Sequence, residues 1–594
     1  LSSRYIIGID LGTTNTSVAR VPPGAAPDPH TPPPVELFPV PQLVEPGELR
    51  AEPLLPSALY LPGSADFAPG AIALPWDENS AYVVGALARK RGAENAARLV
   101  TSAKSWLCHG GVDRTSPLLP PGAAEGIPKV SPVEASRRYL EHVRRAWNWK
   151  HPDAPFEEQT VILTVPASFD AGARELTETA AVQAGFRDVV LLEEPQAAFY
   201  AWIERHPDWR ERVRVGDLIL VIDIGGGTTD FSLIAVRDAG GELQLERVAV
   251  GEHILLGGDN IDLALAHSVA RDLEQRKIKL DAMQFHALWQ RCRLAKEALL
   301  EEGNTDTAQP VTVLGRGSGL VGGTIRAELR RSVMEQILLD GFLPVTPSAE
   351  MPQRPRRSGL QEIGLPYAAD AAITRHLAKF LRQSGEWMAP THVLFNGGVL
   401  RAALVRQRIL EVLNAWLAEE GKPPVQPLLG EDLMHAVARG AAYYGMAREG
   451  CGVRIRGGIP KTYYVGIESA MPAVPGMPAP MKYLAVAPFG MEEGSRATIP
   501  QREFGLIVGE AAEFRFFCSA SRKEDQPGAL IEEREEDLEE LSPVSVTLPD
   551  EGNAGRAVPV TFETVVTETG MLQLWCLARD GRRWKLEFNV RRHP

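Results

Sequence analysis

Ile7-Gly8-Ile9-Asp10-Leu11-Gly12-Thr13-Thr14-Asn15 and, about two hundred residues later, Val221-Ile222-Asp223-Ile224-Gly225-Gly226-Gly227-Thr228-Thr229-Asp230 decide how this chain is read. Each stretch runs an apolar strand into an Asp, then turns through glycine into hydroxyl-bearing residues. Glycine allows positive φ and lets backbone N–H groups approach phosphate oxygens. Thr13, Thr14, Thr228 and Thr229 can donate hydroxyl hydrogen bonds to the same oxygens. Asp10 and Asp223, near the strand ends, offer hard oxygens to a hydrated magnesium ion bridging the phosphates. Two copies at domain-scale spacing imply a duplicated scaffold that grips a nucleotide triphosphate from both sides.

The bulk properties narrow the setting. A chain of 594 residues has room for two to four domains. Its 44% hydrophobic and 23% charged residues are ordinary for a soluble globular protein. A net charge of −13 argues against nucleic-acid or anionic-membrane binding. No apolar run approaches the roughly 20 residues of a membrane span. The N-terminus enters a strand-like YIIGID with no signal-peptide pattern, and its first residue is Leu, so a few residues are expected to precede it. Cysteines 108, 292, 451, 518 and 576 are scattered without metal-ligand spacing, as expected for reduced thiols in the cytoplasm. A cytoplasmic monomer is the expectation.

Residues 1–449 read as an α/β domain. The proline-rich segment 21–57 reads as an irregular surface insertion, and 344–366 as an exposed loop. Strands are predicted at 161–165, 189–192, 218–222 and 393–396. Asp170 should cap the helix that follows it, with Gly185 ending that helix. Further helices are predicted over 262–302, 327–340, 371–384, 401–418 and 436–444. Residues 450–462 read as a linker. From 463 to 594 short β-type runs such as 463–467, 514–517 and 572–576 predict a β domain. The acidic run 532–540 reads as a solvated loop or short helix. The G-x-G-x-x-G match at 317–322 lacks a βαβ context, so NAD and FAD are discounted. The sequon Asn15-Thr16-Ser17 lies inside a phosphate turn, and no glycan is expected.

Taken together, IIGIDLGTTNTSVA, VILTVPASFDAGARELTETAAVQAGF, LLEEPQAAFYAW and the second glycine turn resemble the heat-shock protein 70 (DnaK-like) family, as a divergent bacterial-type member. The resemblance implies a duplicated actin-like (ribonuclease H-like) ATPase domain followed by a small all-β sandwich that binds extended or unfolded polypeptide. It implies ATP or ADP with magnesium, and potassium as a further ion, with a co-chaperone and a nucleotide-exchange factor as partners. Matched position by position, Asp10 and Asp223 hold the magnesium water shell or orient the attacking water. Glu194 is a third catalytic carboxylate, Lys104 stabilises the transferred phosphoryl charge, and Thr228 joins them. Gly12, Thr13, Thr14, Asn15, Gly225, Gly226, Gly227, Thr229, Gly257, Gly258, Lys296, Gly397, Gly398 and Arg401 fall on nucleotide-binding positions. Pro166 and Arg174 match residues that couple nucleotide state to the peptide domain.

The departures are also specific. In the helix 292–300, Glu297 stands where the family commonly has an adenine-stacking arginine, and Leu300 where it has a serine. Val399 replaces a hydroxyl residue. A lost guanidinium stack is worth about 0.5–2 kcal/mol, so weaker nucleotide affinity is expected. The linker Val453-Arg454-Ile455-Arg456-Gly457-Gly458-Ile459-Pro460 lacks the family's leucine-rich, aspartate-flanked pattern, and no helical lid is expected after Val590. Two other readings stay open: a small-molecule kinase of the actin superfamily, and a non-catalytic ATP-dependent scaffold or filament.

Overall fold

The first motif folds as strand, turn and strand: β1 (Ile6–Leu11) and β2 (Asn15–Val21) pair antiparallel from Ile6–Val21 to Leu11–Thr16. Gly12 stands in the turn, and both strands are buried along most of their length. The computed structural model describes residues 4–24, 34–109, 111–121, 123, 126–239, 242–314, 324–353, 365, 367–382, 387–430, 432–452, 459, 461–468, 480–492, 494–519, 521–532, 538–541, 543–549, 557–567 and 571–589. It divides into two compact units, Leu1–Arg454 and Ile455–Pro594.

The larger unit is built on one sheet plan used twice. In the first sheet, β1 pairs parallel with β3 (Thr160–Val165), which pairs parallel with β4 (Val189–Glu193). On its other side lie β2 and the short strand Glu36–Leu37, both antiparallel. In the second sheet, β5 (Leu218–Ile224) pairs antiparallel with β6 (Thr229–Ala239), and β6 antiparallel with β7 (Glu242–Val250). On the far side of β5 come β8 (His392–Asn396) and Gln426–Leu428, both parallel. Strand order and strand direction are the same in both sheets. The duplication read in the two motifs is therefore also a duplication of topology.

Each sheet buries its own apolar cluster. Ile7, Ile9, Val18, Val161 and Leu163 pack with Tyr139, Leu140, Val143 and Trp147 of the helix Pro132–Lys150. Leu220, Ile222, Phe231, Val393 and Phe395 pack with Ile261 and Leu265, and with Val405 and Ile409 of the helix Ala403–Glu419. Both cores bury continuous apolar strands, as sheets covered by helices require. Among the helices that reach the cleft are α1 (Ala86–Glu94), α2 (Ala103–Leu107), α3 (Glu194–Arg205), α4 (Gly258–Gln275), α5 (Ala282–Leu300) and α6 (Ala436–Arg448). Asp170 caps the helix Ala171–Gln183 by accepting from Ala173 N at 2.6 Å, and Gly185 follows its end at φ 94°.

Three expectations need correction. Within 21–57 the described residues form strands Val40–Glu45, Glu48–Glu52 and Leu54–Pro56 rather than an irregular insertion. Val40 and Leu43 are buried, and Pro41 and Pro46 lie in the two-stranded hairpin of Val40–Glu45 and Glu48–Glu52, where a missing N–H is tolerated. The helix expected over 327–340 begins as strand Thr324–Arg330, paired antiparallel with Ala308–Leu314, and only then turns helical at Arg331–Gln336. Ile325, Ala327 and Leu329 alternate toward the core, a period of two. The helix expected over 262–302 is two helices, broken near Lys277 at φ 61° and restarted by a capping box on Asp281. The segments 354–364, 453–458, 317–322 and 533–537 lie outside the described residues, so most of the 344–366 loop and of the linker goes undescribed.

The smaller unit contains strands and no helix among its described residues. One antiparallel sheet holds Leu530–Ile531, Met481–Ala487, Thr462–Glu468, Phe516–Ser519 and Glu539–Glu540, in that order. Another holds Arg496–Ile507, Ala557–Val566, Met571–Ala578 and Arg583–Asn589. Tyr463, Val465, Leu484 and Val486 share a core cluster with Ile499, Val560, Phe562, Leu572 and Trp584. The described end of the acidic run, Glu539–Glu540, is an edge strand paired to Lys461 and Arg515. None of the five cysteines is in a disulfide, and no helix among the described residues is long and apolar enough to cross a membrane.

Helix α6 lies against β1, and also crosses α3. The crossing depends on Gly440, where an added Cβ would stand 1.7 Å from the carbonyl oxygen of Ala197. Gly440→Ala is expected to destabilise the chain by about 1–3 kcal/mol in urea unfolding, the cost of overpacking. Gly341→Ala, whose Cβ meets nothing within 4 Å, should stay within about 0.5 kcal/mol.

Candidate functional site

The two glycine turns meet face to face. A Cβ on Gly226 would lie 1.9 Å from Thr14 Oγ1, and one on Gly227 2.9 Å from Thr13 Cγ2. Only a residue without a side chain lets the turns approach this closely. Beside them opens a cleft of about 1160 Å³ lined by Asp10, Gly12, Thr13, Thr14 and Asn15 from the first lobe, and by Asp223, Gly225, Gly226 and Thr228 from the second. Ligand pockets commonly hold about 300–1,000 Å³, so a nucleotide-sized molecule fits.

The strand register places the acidic groups. Asp10 sits opposite Thr164 on β3, and Asp223 opposite Asn396 on β8, the same position in each sheet. Asn396 Nδ2 donates to Asp223 Oδ2 at 2.6 Å, while Thr164 Oγ1 is 3.5 Å from Asp10 Oδ1. Lys104 on α2 and Glu194 at the start of α3 form a buried ion pair on the cleft wall.

Carboxylates outnumber cations here, and the acidities register it. Burial raises the Asp10 carboxyl against the opposing pull of Lys104, Thr164 and His435. Burial likewise raises Glu194 to about 7; Lys104 opposes the shift, and the charges of Asp10 and Asp230 add to it. Asp223 is raised well above the usual range by burial and by the charges of Glu194 and Asp230. Burial would lower the Lys104 ammonium, but Glu194, Asp10 and Asp223 outweigh it and raise it.

Other expected residues separate into those on the cleft and those away from it. Gly258, Lys296, Gly397, Gly398 and Arg401 line it, as do Glu297, Leu300 and Val399. Lys296 is already held by Asp262 at 2.6 Å. Thr229 is corrected: its side chain is fully buried and its hydroxyl donates to the Leu256 carbonyl at 2.7 Å, so it has no proton for a phosphate. Gly257 is corrected too, because its N–H is spent on Asn260 Oδ1 at 2.9 Å inside its own helix cap. Gly227 packs on Thr13 and is not part of the lining. Arg174 is buried, clamping the carbonyls of Phe169 and Ala167 at 3.0 Å and pairing with Glu193 at 3.1 Å. Pro166 opens the turn that Arg174 holds, its carbonyl accepting from Phe169 N at 3.1 Å.

Some contributors escaped the sequence reading. Ser57, from the proline-rich segment, donates its hydroxyl to the Gly12 carbonyl at 2.7 Å and its N–H to Thr14 O at 2.9 Å, bracing the first turn. Asp230 stands across the strand pair from Asp223, as Ser17 stands across from Asp10. The seven-residue interval shared by the two motifs was the available signal. Arg89 on α1 and Arg293 on α5 line the cleft from opposite lobes. Burial and the charge of Arg293 lower the Arg89 pKa.

Among the described residues no three His, Cys, Asp or Glu side chains gather closely enough to ligate one metal directly. Asp10 and Asp223, half-buried on the cleft and raised in pKa, are nevertheless a donor set that a hydrated divalent cation would relieve. Fit through water, rather than direct ligation, is what the site offers magnesium.

Comparison with known proteins points the same way. The family described as Hsp70 protein matches residues 129–347. A chaperone protein HscA homolog of Azotobacter vinelandii is 30% identical over 323 residues, covering 51% of this chain and 44% of the relative. The corresponding homolog of Cupriavidus necator is 29% identical over 317 residues, covering 51% and 42%. That of Bordetella pertussis is 30% identical over 349 residues, covering 56% and 46%. The matched stretch thus spans less than half the length of these relatives.

The raised Asp223 carboxyl makes a stability prediction. Its favourable contribution is fully present below the unfolded carboxylate pKa and is lost as pH rises through the folded one. Asp223→Asn removes that loss while keeping an acceptor for Asn396. The ligand-free variant is expected to melt about 2–4 °C above the parent at pH 8, with the gain shrinking toward pH 4. A scan of melting temperature against pH checks it.

Proposed function

From the chain's membership of the Hsp70 family, we propose that it is a magnesium-dependent ATPase whose nucleotide state controls binding of extended polypeptide. The observation that carries this reading is the buried Lys104–Glu194 pair, set in the same cleft as Asp10 and Asp223 with the two glycine turns facing each other. Gly12, Thr13, Thr14 and Asn15 hold the phosphates from one lobe, and Gly225, Gly226 and Thr228 from the other. Magnesium, held through water by Asp10 and Asp223, supplies positive charge to the phosphates when bound. Lys104 neutralises charge developing on the γ-phosphoryl group. Water attacks phosphorus, the bond to the ADP oxygen breaks, and Glu194 accepts the water's proton. An acidity near 7 suits a group that takes and returns a proton at neutral pH. Potassium would be a further ion at such a site.

Lys296, Gly397, Gly398 and Arg401 flank the base end of the cleft. Glu297 and Leu300 line the same cleft and offer no cationic stacking surface, which favours weak nucleotide binding. Residues 1–449 are assigned as the ATPase domain, 450–462 as the connection and 463–594 as a polypeptide-binding β sandwich, in a cytoplasmic monomer. The two antiparallel sheets with one shared core support the last assignment. Pro166 and Arg174 are assigned to coupling, because the turn they hold ends beside Glu193 and Glu194. A co-chaperone and a nucleotide-exchange factor would act on such a cycle.

Single-turnover ATP hydrolysis tests the reading. Unfolded polypeptide should accelerate turnover, EDTA should abolish it, and Lys104→Ala should slow it by about 10²-fold or more with a smaller change in affinity. A rate indifferent to polypeptide and to Lys104 would sink the proposal. Arg89 provides a second measurement, since it has no ion pair among the described residues, whereas Arg293 is held by Glu297 at 3.2 Å and Asp259 at 3.8 Å. The two like charges oppose closure of the lobes. Arg89→Glu is expected to slow release of a fluorescent ADP analogue by about two- to fivefold, the reach of an exposed ion pair.

A further inference from the structure

Consecutive basic residues on α1 meet different fates. Lys90 pairs with Glu45, and Arg91 pairs with Glu94 at 2.7 Å. Arg89 instead lines the cleft, exposed and without an ion pair among the described residues. Helix α1 lies against α5 of the other lobe, and from α5 Arg293 lines the same cleft. Guanidinium groups of opposite lobes therefore face one space, close to where the lobes touch.

Like charges so placed call for an anion. Arg293 has Glu297 at 3.2 Å and Asp259 at 3.8 Å, and 23% of its side chain stays exposed. Arg89 has no such partner. Though exposed, it has its pKa lowered, first by the protein packed around it and then by the charge of Arg293; Glu297 pulls the other way. A guanidinium carries more N–H donors than these contacts use and has no acceptor. Free donors on planar forks suit a phosphate group, which they bind in bidentate pairs.

Position says which phosphate. Asp259, beside Arg293, donates its N–H to Gly226 O at 2.7 Å, so Arg293 stands where the second phosphate turn ends. Lys296, one helical turn further along α5, flanks the base end. Between the triphosphate and the base lies the sugar. We propose that Arg89 and Arg293 form an anion subsite for a phosphate on the ribose, so that the cleft prefers a nucleotide phosphorylated on a ribose hydroxyl to the plain nucleotide. The inference rests on the nucleotide-binding reading of the cleft. Such a phosphate supplies the counter-charge that Arg89 lacks, and by bridging both arginines it draws α1 and α5 together.

Calorimetry on the full chain with magnesium tests it, comparing ADP with its derivatives phosphorylated on the 2′ or on the 3′ hydroxyl. One derivative should bind about tenfold tighter than ADP, the scale of a charge-assisted contact, and its identity names the hydroxyl. That advantage should fall to about twofold or less in Arg89→Ala and in Arg293→Ala, and be partly kept in Arg89→Lys, whose charge lacks the fork. It should also shrink as sodium chloride rises from about 50 to about 300 mM. Because the ratio is taken within each variant, ADP binding itself reports that the variant is folded. If ADP binds and both derivatives bind equally or more weakly, this inference alone is overturned. An advantage that survives both alanine variants overturns it too, since the phosphate then sits elsewhere. Failure of every nucleotide to bind overturns the nucleotide reading and this inference together.

Discussion

The contact between the two glycine turns is the constraint on which the rest of the larger unit depends. Gly226 presents no side chain to Thr14, so the turn of one sheet can touch the turn of the other. Everything else in the cleft is positioned relative to that contact. β1 and β5 deliver Asp10 and Asp223 because each is the central strand of its sheet, flanked by one antiparallel and one parallel neighbour. The N-terminus of α4 ties in as well: Gly258 N donates to Gly225 O at 3.0 Å and Asp259 N to Gly226 O at 2.7 Å. Those helix N–H groups, which would ordinarily attract an anion, instead hold the second turn in shape. The first turn is braced from a different element, the strand ending at Pro56 and the serine after it.

Holding the turns together concentrates negative charge. Asp10, Glu194 and Asp223 are all raised in pKa, first by burial; the charge of Asp10 adds to the shift at Glu194 and Asp223, and that of Glu194 to the shift at Asp223. Buried like charges are destabilising unless a counter-charge is supplied. Lys104 supplies part of it, and a hydrated divalent cation would supply more. A cation-bearing ligand relieves the repulsion among these carboxylates, which is a physical basis for ligand binding to bias how the lobes sit about the cleft.

Much of this was legible in the residues. The two motifs predicted strand, turn and strand with Asp at the end of the central strand, and both hairpins form as read. Asp170 and Gly185 marked the limits of a helix because capping chemistry is local. The failures were of two kinds. In 324–330 a period-two pattern was overridden by the helix-forming residues that follow it, and in 40–56 proline obscured a hairpin whose inward positions are Val40 and Leu43. At the site, Thr229 carries the right functional group but points into the core, and Gly257 carries the right backbone donor but spends it on Asn260. Composition at a motif specifies which groups are present, whereas register and capping decide which remain available.

The duplicated halves show how one scaffold yields an asymmetric site. Matching positions hold different chemistry: Thr164 faces Asp10 where Asn396 faces Asp223, and Ser17 stands where Asp230 stands. The first half adds a buried cation from α2 and a carboxylate from the start of α3. The second half adds an extra carboxylate on β6 and a histidine bound to it through Ser168, a residue of the first half. The hydrogen-bonded chain from His253 to Asp230 therefore crosses between lobes through a turn that Arg174 locks to Glu193, one residue before Glu194. A change in lobe spacing must stretch that chain or the Lys104 contacts. Geometry at the carboxylates and separation of the lobes are thus a single variable, and a ligand that acts on one acts on the other.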